Sequence, residues 1–317
     1  MRPATRTEGF TLIELLVGMV LLAIILGVVL NTTLSTMTLY RTDQARLGAN
    51  RNARSTLDIL NSDIQQAGER LGESFPAITV TKDAAGNSVL TLRRGLLDAP
   101  LPVCAPLPNA DGIYVTANGT VASPFPAGIS ALPDSCGTSA QDLSAWRSQI
   151  SSGVTSGYLY DVTGNVGSSL RLSGTETQAA APGRQTVKYS GTVGAYNPRK
   201  TTASDRGRDI RLYLLEGRRY GVTAGNLTLS VNDAPAQDAT PRVLAFRVVP
   251  YLRGKIGSPV PAALPFPPAP VVGTETPTWK DLAYLDVTLS VQQGQGRNTV
   301  QRTFTERLTP RNANSSE

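Results

Sequence analysis

Histidine is missing altogether from the 317 residues. Its absence removes the commonest general base and the commonest transition-metal ligand. The two cysteines, Cys104 and Cys136, are too few for a four-ligand zinc site and do not form a CxxC pair. No phosphate-binding loop of the type GxxxxGK followed by Ser or Thr is present, so the chain is not expected to use ATP itself. A GxSxG elbow is absent too, and without histidine a serine hydrolase triad would be incomplete. Carboxylate pairs such as Asp205 with Asp209 have no spacing that lifts them above solvent-facing charge. Neither a catalytic residue nor a metal site nor a cofactor is therefore expected, and the chain does not read as an enzyme.

Charge is also sparse, at 17% of residues, whereas glycine (29) and proline (22) are plentiful. That mix suits a β-rich exported domain better than a cytosolic helical enzyme. The formal net charge of +6 could favour acidic partners, but the Lys and Arg are spread along the chain and read first as a solvated basic surface. For the two cysteines a disulfide is the natural state if this part lies outside the cytoplasm, with two buried thiols as the alternative. A loop of that size would contribute about 3 to 4 kcal/mol in the chain-entropy treatment.

One long apolar run stands out, from Phe10 to Leu30, broken by Thr11, Glu14 and two glycines. At about 1.5 Å per residue it makes a helix of about 30 Å, enough to span a bilayer core. A secretory signal would end in a small-residue cleavage site, but here Asn31, Thr32 and Thr33 follow and helix-compatible sequence continues. The small residue, Gly9, stands at the other end. Arg2 and Arg6 before the run favour a cytoplasmic N-terminus, but Arg41 and Arg46 within reach of its far end make the positive-inside rule nearly a tie.

"GFTLIE" followed by a long apolar helix resembles the class III prepilin signal of type IV pilins, pseudopilins and related filament subunits. The resemblance implies cleavage by a membrane prepilin peptidase between Gly9 and Phe10, with N-methylation of the new Phe10 amine. It also gives Glu14 a role. A carboxylate in hydrocarbon costs about 2.5 to 3.5 kcal/mol on translocon scales. In pilin-like filaments this glutamate is thought to attract the N-terminal ammonium of a neighbouring subunit, so assembly would offset that cost.

No proline occurs between Pro3 and Pro76, so the helix can continue beyond the bilayer. Ala53, Leu57, Leu60, Ile64, Ala67 and Leu71 recur at spacings of three or four and form an apolar stripe. Arg46, Asn50, Arg54, Ser62 and Gln65 occupy the opposite face. Gly68, Gly72 and Pro76 mark the end. Leu57, Leu60, Asp63, Ile64, Ala67 and Gly68 also look like the corresponding helix of PilW-like minor pilins and J-type minor pseudopilins, as does Arg311-Asn312 after the last strand.

After Pro76 the pattern alternates. "AITVTK" and "SVLTLR" read as a hairpin, "DIRLYLLE" and "RYGVT" as two strands flanking Gly217, and "NLTLSV", "RVLAFRVVPYL", "DLAYLDVTLSV" and "TVQRTFTERL" as further strands. The expected fold is α+β and pilin-like: a long N-terminal helix, its first half membrane-spanning, packed on a mainly antiparallel β-sheet head. The expected organisation is a leader peptide over 1–9, the transmembrane half of the helix over 10–30 and its amphipathic half over 31–72. An exported head follows over 73–317, with an irregular cysteine-containing insertion over 100–155 and a proline-rich surface loop over 257–280.

The function this organisation implies is a structural minor pilin or pseudopilin, held in the bacterial inner membrane with its head exported, whose partners are the membrane, prepilin peptidase and other pilin subunits. The alternative is an anchored binding module that captures DNA or a surface. Arg199, Lys200, Arg206, Arg208 and Arg211 form the strongest basic cluster and could touch DNA phosphates, although a solvated loop is the reading that charge clusters favour.

Overall fold

The computed structural model describes residues 12–108, 112–115, 136, 142–162, 164, 166–177, 185–196, 208–254, 258–268, 276–294, 296 and 299–313. A helix, α1, runs over Leu12–Gln66. Its stripe is buried as the spacing predicts, from Ala53 through Leu57, Leu60 and Ile64, with Ala67 and Leu71 buried just beyond the helix end.

The helix ends at Gln66, earlier than the expected 72. Gly68 takes a left-handed φ of +80°, and its N–H donates to the Arg93 carbonyl at 2.9 Å instead of continuing the helical ladder. A Cβ at Gly68 would lie 2.3 Å from the Trp279 ring. Only glycine accommodates both the turn and that ring.

The head begins with β1 (Ile78–Lys82), β2 (Ser88–Gly95), β3 (Leu101–Pro102) and β4 (Ile113–Tyr114). A short helix, α2 (Ser144–Ser151), precedes β5 (Ser156–Asp161), β6 (Val166–Thr177), β7 (Gln185–Ser190) and the long β8 (Ile210–Thr223). Then come β9 (Asn226–Val231), β10 (Gln237–Thr240), β11 (Val243–Leu252), β12 (Val260–Pro261), β13 (Leu282–Gln293) and β14 (Val300–Leu308). Every strand pairing among them is antiparallel. The larger sheet is ordered β1-β2-β8-β5-β6-β7-β4, with β3 and β9 also on β8 and β10 on β9; the smaller is β12-β11-β13-β14.

The strands form where apolar and polar residues alternate. In β13, Leu285, Val287, Leu289 and Val291 are buried while Asp286, Thr288 and Ser290 are not. A first core joins these residues to the helical stripe, β2 and Tyr213, Leu215 and Tyr220 of β8. A second core lies around Leu159, Leu172, Val187 and Leu212 and takes in Trp146 of α2.

Three expectations are corrected. Gly217 does not break the chain: β8 passes through it, paired with Arg93 of β2, while the Gly217 carbonyl accepts from Asn232 N at 2.8 Å. The 100–155 region contains β3, β4 and α2, the last held by burial of Trp146. The proline-rich loop is not wholly at the surface: Phe266 is buried and exchanges two 2.8 Å backbone hydrogen bonds with Val80, extending the edge of β1. Strands β5, β6 and β7 were not foreseen, because β6 is a Ser/Gly/Thr-rich segment with little alternation.

Candidate functional site

The first described turn of α1 carries Glu14, exposed like the residues around it. Every large apolar side chain from Leu12 to Leu30 is exposed by more than half, and among the described residues no part of the head covers this segment. The described apolar run of nineteen residues is about 29 Å long as a helix, which matches a bilayer core. Just beyond it, the hydroxyls of Thr32, Thr33 and Thr36 donate to the carbonyls four residues earlier at 2.7, 2.8 and 2.9 Å. These threonines are thereby satisfied within the helix itself. Gly9 and Phe10 lie outside the described residues.

The second half of α1 is locked to the head by a buried carboxylate. Asp63 lies on the buried face, where it accepts hydrogen bonds from the Arg218 guanidinium and the Tyr220 hydroxyl, both on β8. Glu216 extends the network, accepting from Arg218 Nε at 2.8 Å and from Arg94 Nη2 of β2 at 2.6 Å. Arg94 in turn reaches the Gln66 side chain at the end of α1. The hydrogen bond from Arg218 to Asp63 raises the Arg218 pKa. Burial, reinforced by Asp63, pushes the Tyr220 hydroxyl up. Burial also opposes ionisation of Glu216, but hydrogen bonds from Arg94 and Arg218 outweigh it and hold the carboxyl below its ordinary range.

The end of α1 is capped from a distance. Asn312 Nδ2 donates to the carbonyls of Ala67 at 3.1 Å and Gln65 at 3.4 Å. Trp279 Nε1 donates to the Gly72 carbonyl at 3.3 Å. The chain after β14 therefore supplies hydrogen bonds that the last turn of a helix lacks.

Cys104 and Cys136 form a disulfide with a Cα–Cα distance of 5.7 Å, the state proposed for an exported head. Of the basic cluster, Arg208 pairs with Asp161 at 3.2 Å and Arg211 grips Asp209 through two nitrogens at 2.7 to 3.1 Å. Arg199, Lys200 and Arg206 lie outside the described residues. Among the described residues no group of three or more Cys, Asp or Glu side chains is placed to hold a metal ion.

Asp63 was visible in the sequence as part of a helix motif, but its partners were not. Arg218 follows the basic cluster beside Arg219 and nothing in the sequence sets it apart; only the pairing of β8 with β2 turns it inward. Trp279 was missed, although a glycine closing a helix signals that something approaches closely.

Residues 5–30 match the family model described as the prokaryotic N-terminal methylation motif. Neither the curated proteins nor the solved structures contain a match to the chain.

Proposed function

We propose that this chain, type IV pilin-like by its N-terminal methylation motif, is a minor pilin or pseudopilin of the PilW-like or J-type kind. Prepilin peptidase cuts after Gly9, Phe10 is methylated, and the apolar helix stays in the inner membrane until the subunit enters a filament. The head is exported to the periplasm. Glu14 then attracts the N-terminal ammonium of a neighbouring subunit, which offsets the cost of a carboxylate in hydrocarbon. The role is structural: the helix packs with other helices and the head presents a surface.

One observation carries this reading. The matched motif takes in residues 12–30, whose apolar side chains no described part of the head covers. A DNA-capturing role through the basic cluster gains no support, because the carboxylates of Asp161 and Asp209 already engage Arg208 and Arg211.

The test is the intact mass of the chain recovered from its native membrane. A species beginning at methylated Phe10 is expected, with the leader retained in Gly9→Ala. Glu14→Ala should be cleaved and yet fail to enter filaments isolated by shearing. A wild-type chain beginning at Met1 in cells with active peptidase would overturn the reading.

A further inference from the structure

The outer face of the larger sheet, turned away from α1, holds a polar cleft of about 190 Å³. It continues into a second hollow of about 310 Å³, with which it shares Ser156, Ser169, Asn232 and Asp233. Strand register builds the floor in rows. Thr79 pairs with Thr91, Thr91 with Arg219, and Arg219 with Ser230, so three hydroxyls and a guanidinium cross four strands side by side. In the next row Arg93 lies opposite Gly217.

Gly217 explains the hollow. A Cβ built there meets no atom within 4 Å, and its φ is not left-handed. A glycine inside a well-paired strand weakens it and often marks a bulge, a bend or a place where a ligand or another backbone approaches closely. Here Asn232 meets the Gly217 backbone, its N–H donating to the Gly217 carbonyl and its Oδ1 accepting from Gly217 N, both at 2.8 Å, and the Cβ side stays open.

The charges in the cleft are incompletely matched. The Arg93 guanidinium makes one hydrogen bond, to the Pro76 carbonyl at 2.7 Å, and lies over the Tyr158 ring at 5.1 Å. Burial lowers its pKa, opposed by Tyr158 and Asp233, but a guanidinium remains charged. Neither Arg93 nor Arg219 has an ion pair among the described residues.

We propose that this cleft binds an acidic polysaccharide, its carboxylates on Arg93 and Arg219 and its hydroxyls on the serine and threonine rows. The residue types select that class. Serine and threonine hydroxyls donate as well as accept, and the Asn232 amide, whose Oδ1 accepts from Gly217 N, presents its Nδ2 donors, which suits a ligand that carries many hydroxyls. Guanidinium groups match carboxylates. A single-stranded nucleic acid would need open stacking platforms, whereas Tyr158, the one aromatic among the described lining residues, is covered by Arg93 and met edge-on by Phe75. An extended peptide would need a free strand edge, but β2 and β8 are paired on both sides. From β1 to β6 the groove crosses five strands, about 19 Å at the usual strand spacing, so several sugar rings fit along it.

The test is calorimetric titration of the full chain in detergent with an oligogalacturonate, a maltooligosaccharide of equal length and a single-stranded oligonucleotide. The oligogalacturonate should bind, and the neutral glucan should bind roughly tenfold more weakly or not at all. Gly217→Phe should abolish binding by filling the hollow while leaving the thermal unfolding midpoint close to wild type. Arg219→Ala, an exposed position outside the core, should weaken binding roughly tenfold and decides the matter if Gly217→Phe does not fold. No oligogalacturonate binding, binding undiminished in both variants, or stronger binding of the oligonucleotide would overturn the proposal.

Discussion

Asp63 is a carboxylate on the buried face of a helix, tolerated there because Arg218 and Tyr220 both donate to it. Removing one partner of such a pair leaves the other charge poorly solvated. Asp63→Ala should therefore destabilise the chain by about 3 kcal/mol, read by denaturant unfolding, with Arg218 partly rescued by its exposed side. Glu216 in the same network gives a pH signature. Its folded pKa lies below its ordinary value of 4.5, so its contribution is present above pH 4.5 and is lost as pH falls through the lowered value. Thermal unfolding followed downward from neutral pH should show that loss, and Glu216→Gln should flatten the acid limb, with an effect of about 1 kcal/mol because the pair is partly solvated.

At the scale of elements, the junction between α1 and β2 depends on a single glycine. Gly68 supplies both the left-handed turn and the room for Trp279. Gly68→Ala combines backbone strain with overpacking and should lower stability by about 2 to 4 kcal/mol, measured by chemical denaturation. The helix and its buried face were legible in the sequence, since the spacing of Ala53, Leu57, Leu60 and Ile64 is a local property of a proline-free segment. The hairpin of β1 and β2 was legible for the same reason. Gly217 misled, because a glycine within a strand and a glycine at a turn are indistinguishable until the neighbouring strands are known. Strands β5 to β7 gave little signal, because serine, glycine and threonine fill much of β6 and each strand sends only a few apolar side chains, among them Leu159, Leu172 and Val187, into the second core.

On the scale of the whole molecule, residues distant in the chain hold the head together. The disulfide between Cys104 and Cys136 joins positions 32 apart. Its reduction should cost about 3 to 4 kcal/mol through the freedom returned to the unfolded chain, seen as a lower thermal midpoint in reductant. Helicity of α1 should persist below that midpoint, since Asp63 and Asn312 secure the helix independently of the bond. The C-terminal turn at Arg311–Ala313 closes the molecule back onto the end of α1.

The sequence by itself determined the membrane-length helix, the motif that precedes and enters it, the buried stripe and the alternating strands. Each of these is written in residues near one another, where period and composition carry the information. Only the tertiary structure decided that Arg218 faces Asp63, that Trp279 lies on Gly68, that Phe266 leaves its proline-rich loop for the core and that Gly217 opens a cleft. Those contacts join residues up to some two hundred positions apart, and no local pattern specifies which strands will be neighbours.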